Sequence, residues 1–297
     1  MASDGVPFRP WALGRHRVTL ERMGGTLWLV ATPIGNLGDL STRAREVLGQ
    51  VDLVACEDTR RTGRLLAGLK IKAPLVSYFE GNERERVEQL VIRLENGDDV
   101  ALVTDGGTPA VSDPGYRLVR ACVDVGVEVQ VVPGPSAVIA ALVVSGLPTD
   151  RFVFEGFLPK RPGERMRRLE ALRHEPRTIV VFESPLRVQT LLRDVLVAIG
   201  DRNVAVVREL TKLHEHIERG RVSQVLSRLG DTELKGEVVV VISGERVRAA
   251  PDMSVCADEA RDLVAGGMRK RDAAHAVADR YGVSANELYR ALLDDAR

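Results

Sequence analysis

The chain has 297 residues, 44% of them hydrophobic and 28% charged, with 42 basic residues against 42 acidic ones. That is the composition of a globular protein with room for about two domains. The cancelled charge excludes a strong pull of the whole molecule toward nucleic acid or membrane, and leaves only a local basic face open.

Residues 1–24 mix Pro, Gly and Arg, lack an apolar core of signal-peptide length, and are expected to form a flexible extension. From residue 25 to 146, short β-rich runs alternate with amphipathic segments. Strands are predicted over 27–32, 52–56, 75–77, 100–104 and 127–132, and helices over 41–48, 59–69, 83–95, 115–125 and 137–145. Strands that alternate with helices imply a mainly parallel sheet covered on both faces. A hinge at 146–151 leads into a second α/β unit, 147–245. Its strands are predicted over 152–154, 178–182, 204–207 and 238–242, and its helices over 163–172, 185–199 and 222–229. The less regular connections there predict a mixed sheet. Past Gly244 the composition turns Ala- and charge-rich, so 246–297 reads as a helical appendage.

Cys56, Cys122 and Cys256 lie far apart, are odd in number and form no C-x-x-C. They suggest neither a zinc site nor a disulfide framework, and fit the reduced thiols of a cytoplasmic protein. Apolar runs such as 137–144 fall short of a membrane span.

In an open parallel sheet, ligands bind beyond the carboxyl ends of the strands, and there the unusual loops of the first unit gather. They are Thr32-Pro33-Ile34-Gly35-Asn36, Cys56-Glu57-Asp58-Thr59-Arg60-Arg61, Thr104-Asp105-Gly106-Gly107-Thr108-Pro109 and Pro133-Gly134-Pro135-Ser136. Each has a structural explanation of its own. Asp58 or Thr59 can cap the next helix, Gly106-Gly107 can serve a tight turn, and Pro133-Gly134-Pro135 can be a rigid corner before a helix. These explanations do not account for four such loops on one edge. Glycines let a ligand touch backbone amides and carbonyls, and prolines hold those groups still. Such a wall suits a nucleoside with a compact, neutral-to-cationic tail. No G-x-x-x-x-G-K-[ST] is present, which excludes a P-loop.

The ordered series V-A-T-P-I-G-N-L-G-D, A-C-E-D-T-R, V-T-D-G-G-T-P, S-D-P-G, V-P-G-P-S, G-F-L-P, F-E-S, R-E-L-T-K and K-G-E closely resembles that of the bacterial 16S ribosomal RNA (cytidine 2′-O)-methyltransferases, a branch of the tetrapyrrole-methylase superfamily. The resemblance runs from about Leu27 to Gly244, with further similarity in the C-terminal helices. It implies two α/β domains with S-adenosylmethionine folded in the cleft between them, and methylation of a cytidine ribose in the decoding region of 16S rRNA in the small ribosomal subunit. It implies a homodimer as well. Matched motif by motif, Pro33, Ile34 and Gly35 would border the cofactor or substrate pocket. Asp105, Gly106 and Gly107 would lie against the methionine part, with Ser136 near the loop beneath it. From the second domain Phe182, Leu210, Lys235, Gly236 and Glu237 would approach the adenosine. Where related chains carry Y-H-E-H-N-E, this one reads Tyr78-Phe79-Glu80-Gly81-Asn82-Glu83, so an imidazole base in that loop is ruled out.

Methyl transfer from a sulfonium needs alignment and the management of one hydroxyl proton, for which a carboxylate or a neutral Lys is suited. The candidates are Glu57 and Asp58 in the first domain and Glu209 and Lys212 in the second, with Arg60 and Arg208 as phosphate or carboxylate partners. Asp58 or Glu209 is the expected group that orients or deprotonates the hydroxyl; an inter-domain salt-bridge network is the competing reading. His214 and His216 lack an evident third ligand, and no catalytic metal is expected.

Two segments could meet RNA. Residues 151–173 carry seven bases against three acids, and the tail carries Arg269-Lys270-Arg271 beside helix-turn-helix spacing around Gly282-Val283-Ser284. Solvated helix faces and a plain packing pair of helices explain the same features. The rival functions are a tetrapyrrole C-methyltransferase, against which the absence of a G-x-G-P-G-D loop argues, and a non-catalytic RNA-binding adaptor.

Overall fold

Five strands, β1 (Thr26–Val30), β2 (Leu53–Cys56), β3 (Leu75–Ser77), β4 (Val100–Val103) and β5 (Glu128–Val132), pair in parallel in the order β3-β2-β4-β1-β5. They belong to a computed structural model that describes residues 24–230, 233–245 and 252–294. All but the last residue of the expected extension at 1–24 lie outside it. Side-chain alternation gives this sheet two buried faces. Leu27, Leu29, Val100 and Leu102 turn to one core, closed by Leu90 and Leu94 of α3 (Glu83–Glu95) and Leu118 and Cys122 of α4 (Tyr116–Val125). Trp28, Val30, Ala101 and Val103 turn to the other, closed by Val47 and Leu48 of α1 (Thr42–Leu48) and Leu66 of α2 (Thr59–Gly68).

The second sheet is mixed, as its irregular connections predict. It comprises β6 (Phe152–Phe157), β7 (Thr178–Glu183), β8 (Asn203–Arg208), β9 (His216–Arg221) and β10 (Val238–Ile242) in the order β6-β7-β10-β8-β9. Only β6 and β7 run parallel. Strand β9 is absent from the sequence-based expectation. It reads HIERGR, an edge strand whose charges blunt pairing with other chains, and it shows no apolar alternation to detect. One face of this sheet is covered by α6 (Pro162–Ala171), α7 (Val188–Ala198) and α8 (Val222–Leu229).

The opposite face receives α5 (Ala137–Ser145). Its Val138, Ala141 and Leu142 pack on Val180, Ala205, Val207, Val239 and Val241. A helix that follows the first sheet in sequence thus seals the second. Apolar on almost every side, it carries no pattern that selects one sheet over the other.

Three helices end the described chain: α9 (Met253–Ala265), α10 (Lys270–Tyr281) and α11 (Ala285–Asp294), around Cys256, Ala260, Ala274, Val277, Leu288 and Leu292. Gly282, at φ +67°, closes α10, and Ser284 Oγ accepts from the Glu287 amide at 3.4 Å. Lys270 donates to the Leu292 carbonyl at 2.7 Å and so serves packing rather than the basic cluster. No helix among the described residues is long and apolar enough to cross a membrane.

Three of the seven bases in the stretch at 151–173 are held in ion pairs. Arg168 makes two bonds to Glu155 at 2.7 and 2.9 Å, and Arg161 meets Glu164 at 3.2 Å. Arg165 is only 5% exposed and donates to Asp194 at 2.6 Å. Asp194→Ala strands that guanidinium in the interior and should cost about 3 kcal/mol in urea unfolding. Arg167→Ala, two residues along on the exposed side, should stay within about 0.5 kcal/mol.

Candidate active site

The loops at the carboxyl edge of the first sheet are stitched into one wall. Thr32 and Gly107 exchange backbone hydrogen bonds of 2.9 Å each, and Thr32 Oγ1 donates to the Thr104 carbonyl at 3.2 Å. Thr108 Oγ1 donates to the Pro135 carbonyl at 3.3 Å, and Arg61 Nη1 reaches Asp105 Oδ2 at 2.6 Å. Gly106 lies so close to the first loop that a Cβ there would stand 3.1 Å from the Pro33 carbonyl oxygen.

This wall meets the second lobe at Gly35. A Cβ at that position would fall 2.4 Å from Lys212 Cγ, 2.8 Å from Thr211 Oγ1 and 3.0 Å from the Leu210 carbonyl oxygen. The segment that presses on it is strained: Glu209 and Thr211 hold φ of +52° and +64°, a region unfavourable for side chains with a Cβ. Carboxylates pin it. Lys212 Nζ donates to Glu209 at 2.8 Å and to Glu237 at 3.1 Å, while the Glu237 amide donates to Glu209 Oε1 at 2.9 Å. Gly236, at φ +84°, leaves room for the Glu209 carboxylate, which a Cβ would overlap.

Between the lobes lies a cavity of about 890 Å³, within the range of small-molecule clefts. One wall is apolar, made by Phe182, Val207, Leu210 and Val239, with Phe157 packed edge-on against Phe182 at 5.6 Å. The facing wall carries Glu57, Asp105 and Asp113. Burial, then the charge of Asp105, raises the Glu57 carboxyl above its ordinary value. Burial, then the charges of Glu57 and Asp105, raises Asp113 to about 6.

Of the residues singled out in the sequence, Pro33, Ile34, Gly35, Glu57, Asp105, Gly106, Phe182, Leu210, Lys212, Gly236 and Glu237 line this cavity. Asp58, Arg60, Gly107, Ser136, Glu209 and Lys235 do not. Asp58 caps α2, accepting from the Arg60 amide at 2.8 Å, and pairs with the Arg60 side chain at 3.1 Å. Those bonds hold its carboxyl at about 2, a poor proton acceptor. Ser136 caps α5. Lys212 is no neutral amine either: burial works to lower its pKa, but Glu209 and Glu237 outweigh burial and hold it above the ordinary value. Glu209 is itself engaged by Lys212 and the Glu237 amide, which lower its pKa.

Two groups went unmarked in the sequence as site residues. Asp113 had a signal, the Pro-Gly that follows it in S-D-P-G. Glu183 ends β7 at 3% exposure, accepts from the Ser184 amide at 2.7 Å and from Arg187 at 2.5 Å, and borders the cavity. The histidine-free loop is rigid: Tyr78 is fully buried and donates to Glu83 at 2.8 Å, and Glu83 accepts from the Gly115 amide at 3.2 Å.

A family model described as Tetrapyrrole (Corrin/Porphyrin) Methylases matches residues 26–226, both sheets and the cavity between them except for β10. The chain belongs to the tetrapyrrole methylase family. Within that family it groups with proteins named ribosomal RNA small subunit methyltransferase I. The one from Synechocystis is 43% identical over 91% of this chain and 98% of its own length. The one from Thermotoga maritima is 49% identical over 74% of this chain and 99% of its own. Among solved tetrapyrrole methylase structures, the uroporphyrin-III C-methyltransferase of Thermus thermophilus complexed with S-adenyl homocysteine superposes with a TM-score of 0.54. It is 24% identical, over 76% of this chain and 99% of the other, and this likeness speaks to the fold.

In this tetrapyrrole methylase the contact at Gly35 sets the width of the cleft. Gly35→Ala should force Leu210–Lys212 away, cost about 1–3 kcal/mol of stability and weaken binding of S-adenosylhomocysteine at least about tenfold by calorimetry. Gly163→Ala, away from the cavity and where a Cβ meets no atom within 4 Å, should do neither.

Proposed function

We propose that this chain transfers a methyl group from S-adenosylmethionine to the 2′-oxygen of a cytidine in the 16S rRNA of the small ribosomal subunit. One observation carries the reading: near-full-length relatives named for small-subunit rRNA methylation share their family with a chain whose two lobes enclose a cavity anionic on one side and apolar on the other. The fit to the donor is chemical. Phe182, Val207, Leu210 and Val239 offer an adenine a dry surface, and Glu57, Asp105 and Asp113 offer carboxylates to a cationic tail. Glycines at 35 and 106 bring backbone to the ligand's edge. When bound, the donor supplies an electrophilic methyl on a sulfonium.

The chain's own residues then align the ribose and remove its proton. Glu57 and Asp113 face the cavity with raised carboxyls, Asp113 at about 6, and are the groups placed to accept the proton. Arg61, bonded to Asp105, fixes that carboxylate beside them. Lys212 remains cationic and can meet an anionic or carbonyl oxygen. Glu209, Asp58, Ser136 and Gly107 act as positioning residues that hold the walls.

The setting is the bacterial cytoplasm, where ribosomal subunits are available, and the active species is a homodimer. Ile139 and Val143 stand one turn apart on α5, 48% and 63% exposed, and the edge strand β5 that leads into it exposes Val131. A second copy would cover this apolar face. Val143→Glu should shift the protein from dimer to monomer in light scattering without unfolding it.

Transfer of labelled methyl to small subunits lacking the modification, with the ribose mapped, tests the activity. Glu57→Gln should lower kcat about 10²–10⁴-fold. Asp113 gains a proton as pH falls through about 6, so the rate should fall on that acid side and Asp113→Asn should remove this limb of the profile. Donor binding without any transfer to rRNA would instead support the adaptor.

A further inference from the structure

We infer that α2 and the turn after it form the ridge on which RNA phosphates dock as the target ribose enters the cleft; this rests on the rRNA reading of the site. Between Thr59 and Lys72 the chain carries Arg60, Arg61, Arg64, Lys70 and Lys72 and no acid. Helix stability does not ask for this arrangement. Arg60 and Arg61 sit in the first turn of α2, which has no acidic residue, at the end where the macrodipole favours anions. Asp58 and Asp105 engage those two. Arg64 has no carboxylate partner among the described residues; its Nε reaches only the Arg60 carbonyl, at 3.4 Å. Lys70 and Lys72 are exposed and likewise meet no carboxylate there.

The cations are placed for use at the cleft. Arg61, Arg64, Leu65, Gly68 and Leu69 recur at helical spacing, and all border the cavity, so one face of α2 is its flank. Beyond Gly68 the surface is open, and the other face of α2 borders a separate shallow groove of about 410 Å³ with Gly63, Ala67 and Lys72. Across the cavity Phe157 is 59% exposed, a face on which an unstacked base can lie. Helix α6 carries three bases, as α2 does, but Arg165 and Arg168 are held in ion pairs and no residue of α6 borders the cavity. The phosphate track therefore runs along α2, with the splayed base turned toward Phe157.

The test is the triple variant Arg64→Gln/Lys70→Gln/Lys72→Gln against Arg161→Gln/Arg167→Gln on α6. Affinity for a short fluorescein-labelled single-stranded RNA is measured across a salt series, and KM for unmodified small subunits beside it, with thermal melting to show that each variant folds. The α2 variant should flatten the slope of log affinity against log salt by about 2, since each lost phosphate contact on a single strand removes about 0.7. Its KM should rise at least about tenfold, while the α6 variant should change either quantity less than about twofold. A folded α2 variant with wild-type slope and KM, or a larger loss in the α6 variant, overturns the inference. Should the wild-type chain transfer no methyl to subunits while α2 still sets the salt slope, the functional reading falls and the docking ridge stands.

Discussion

The contact on which the rest of the molecule depends is the meeting of Gly35 with the backbone of Leu210 and the side chains of Thr211 and Lys212. There the two lobes come closer than any side chain at position 35 would allow. That approach converts two separate sheet edges into the walls of one cavity. The left-handed backbone at Glu209 and Thr211 costs of order 1–3 kcal/mol per residue, and the Lys212–Glu209–Glu237 bonds offset part of it. The charged residues of R-E-L-T-K and K-G-E, which look catalytic in sequence, therefore spend most of their capacity on holding the lobes in register. On the facing wall, burial and mutual repulsion raise the carboxyls of Glu57 and Asp113.

Much of the fold was legible in the sequence because its strands have a plain physical signature. Val100–Val103 and Val238–Ile242 are continuous apolar runs, which is what burial on both faces produces, and nearly all the helices carry apolar stripes of the correct period. Strand β9 escaped because an edge strand with charges on both sides has no such signature. The packing of α5 escaped because partner choice is not encoded in a helix that is apolar all round.

The site divided along a similar line. Gly/Pro loops at strand mouths announce backbone exposure, so Pro33, Gly35 and Gly106 could be read directly. A carboxylate in a motif announces nothing about its partner. Asp58 and Glu57 are neighbours in one loop, yet one turns to the helix start and the Arg60 guanidinium while the other turns into the cavity. Only the three-dimensional partner decides which is a cap and which faces the cavity. The same holds for the cations: the stretch at 151–173 outnumbers 59–72 in bases, but Glu155, Glu164 and Asp194 engage three of its seven and none of the seven borders the cavity.

The all-cationic segment of α2 carries one more consequence in a chain of zero net charge. With five bases and no acid in 59–72, everything else must hold five more acids than bases, so the molecule is polarised instead of merely neutral. An anionic partner drifting past is drawn toward the cleft side. Such a molecule can orient that partner without a net charge that would hold it everywhere.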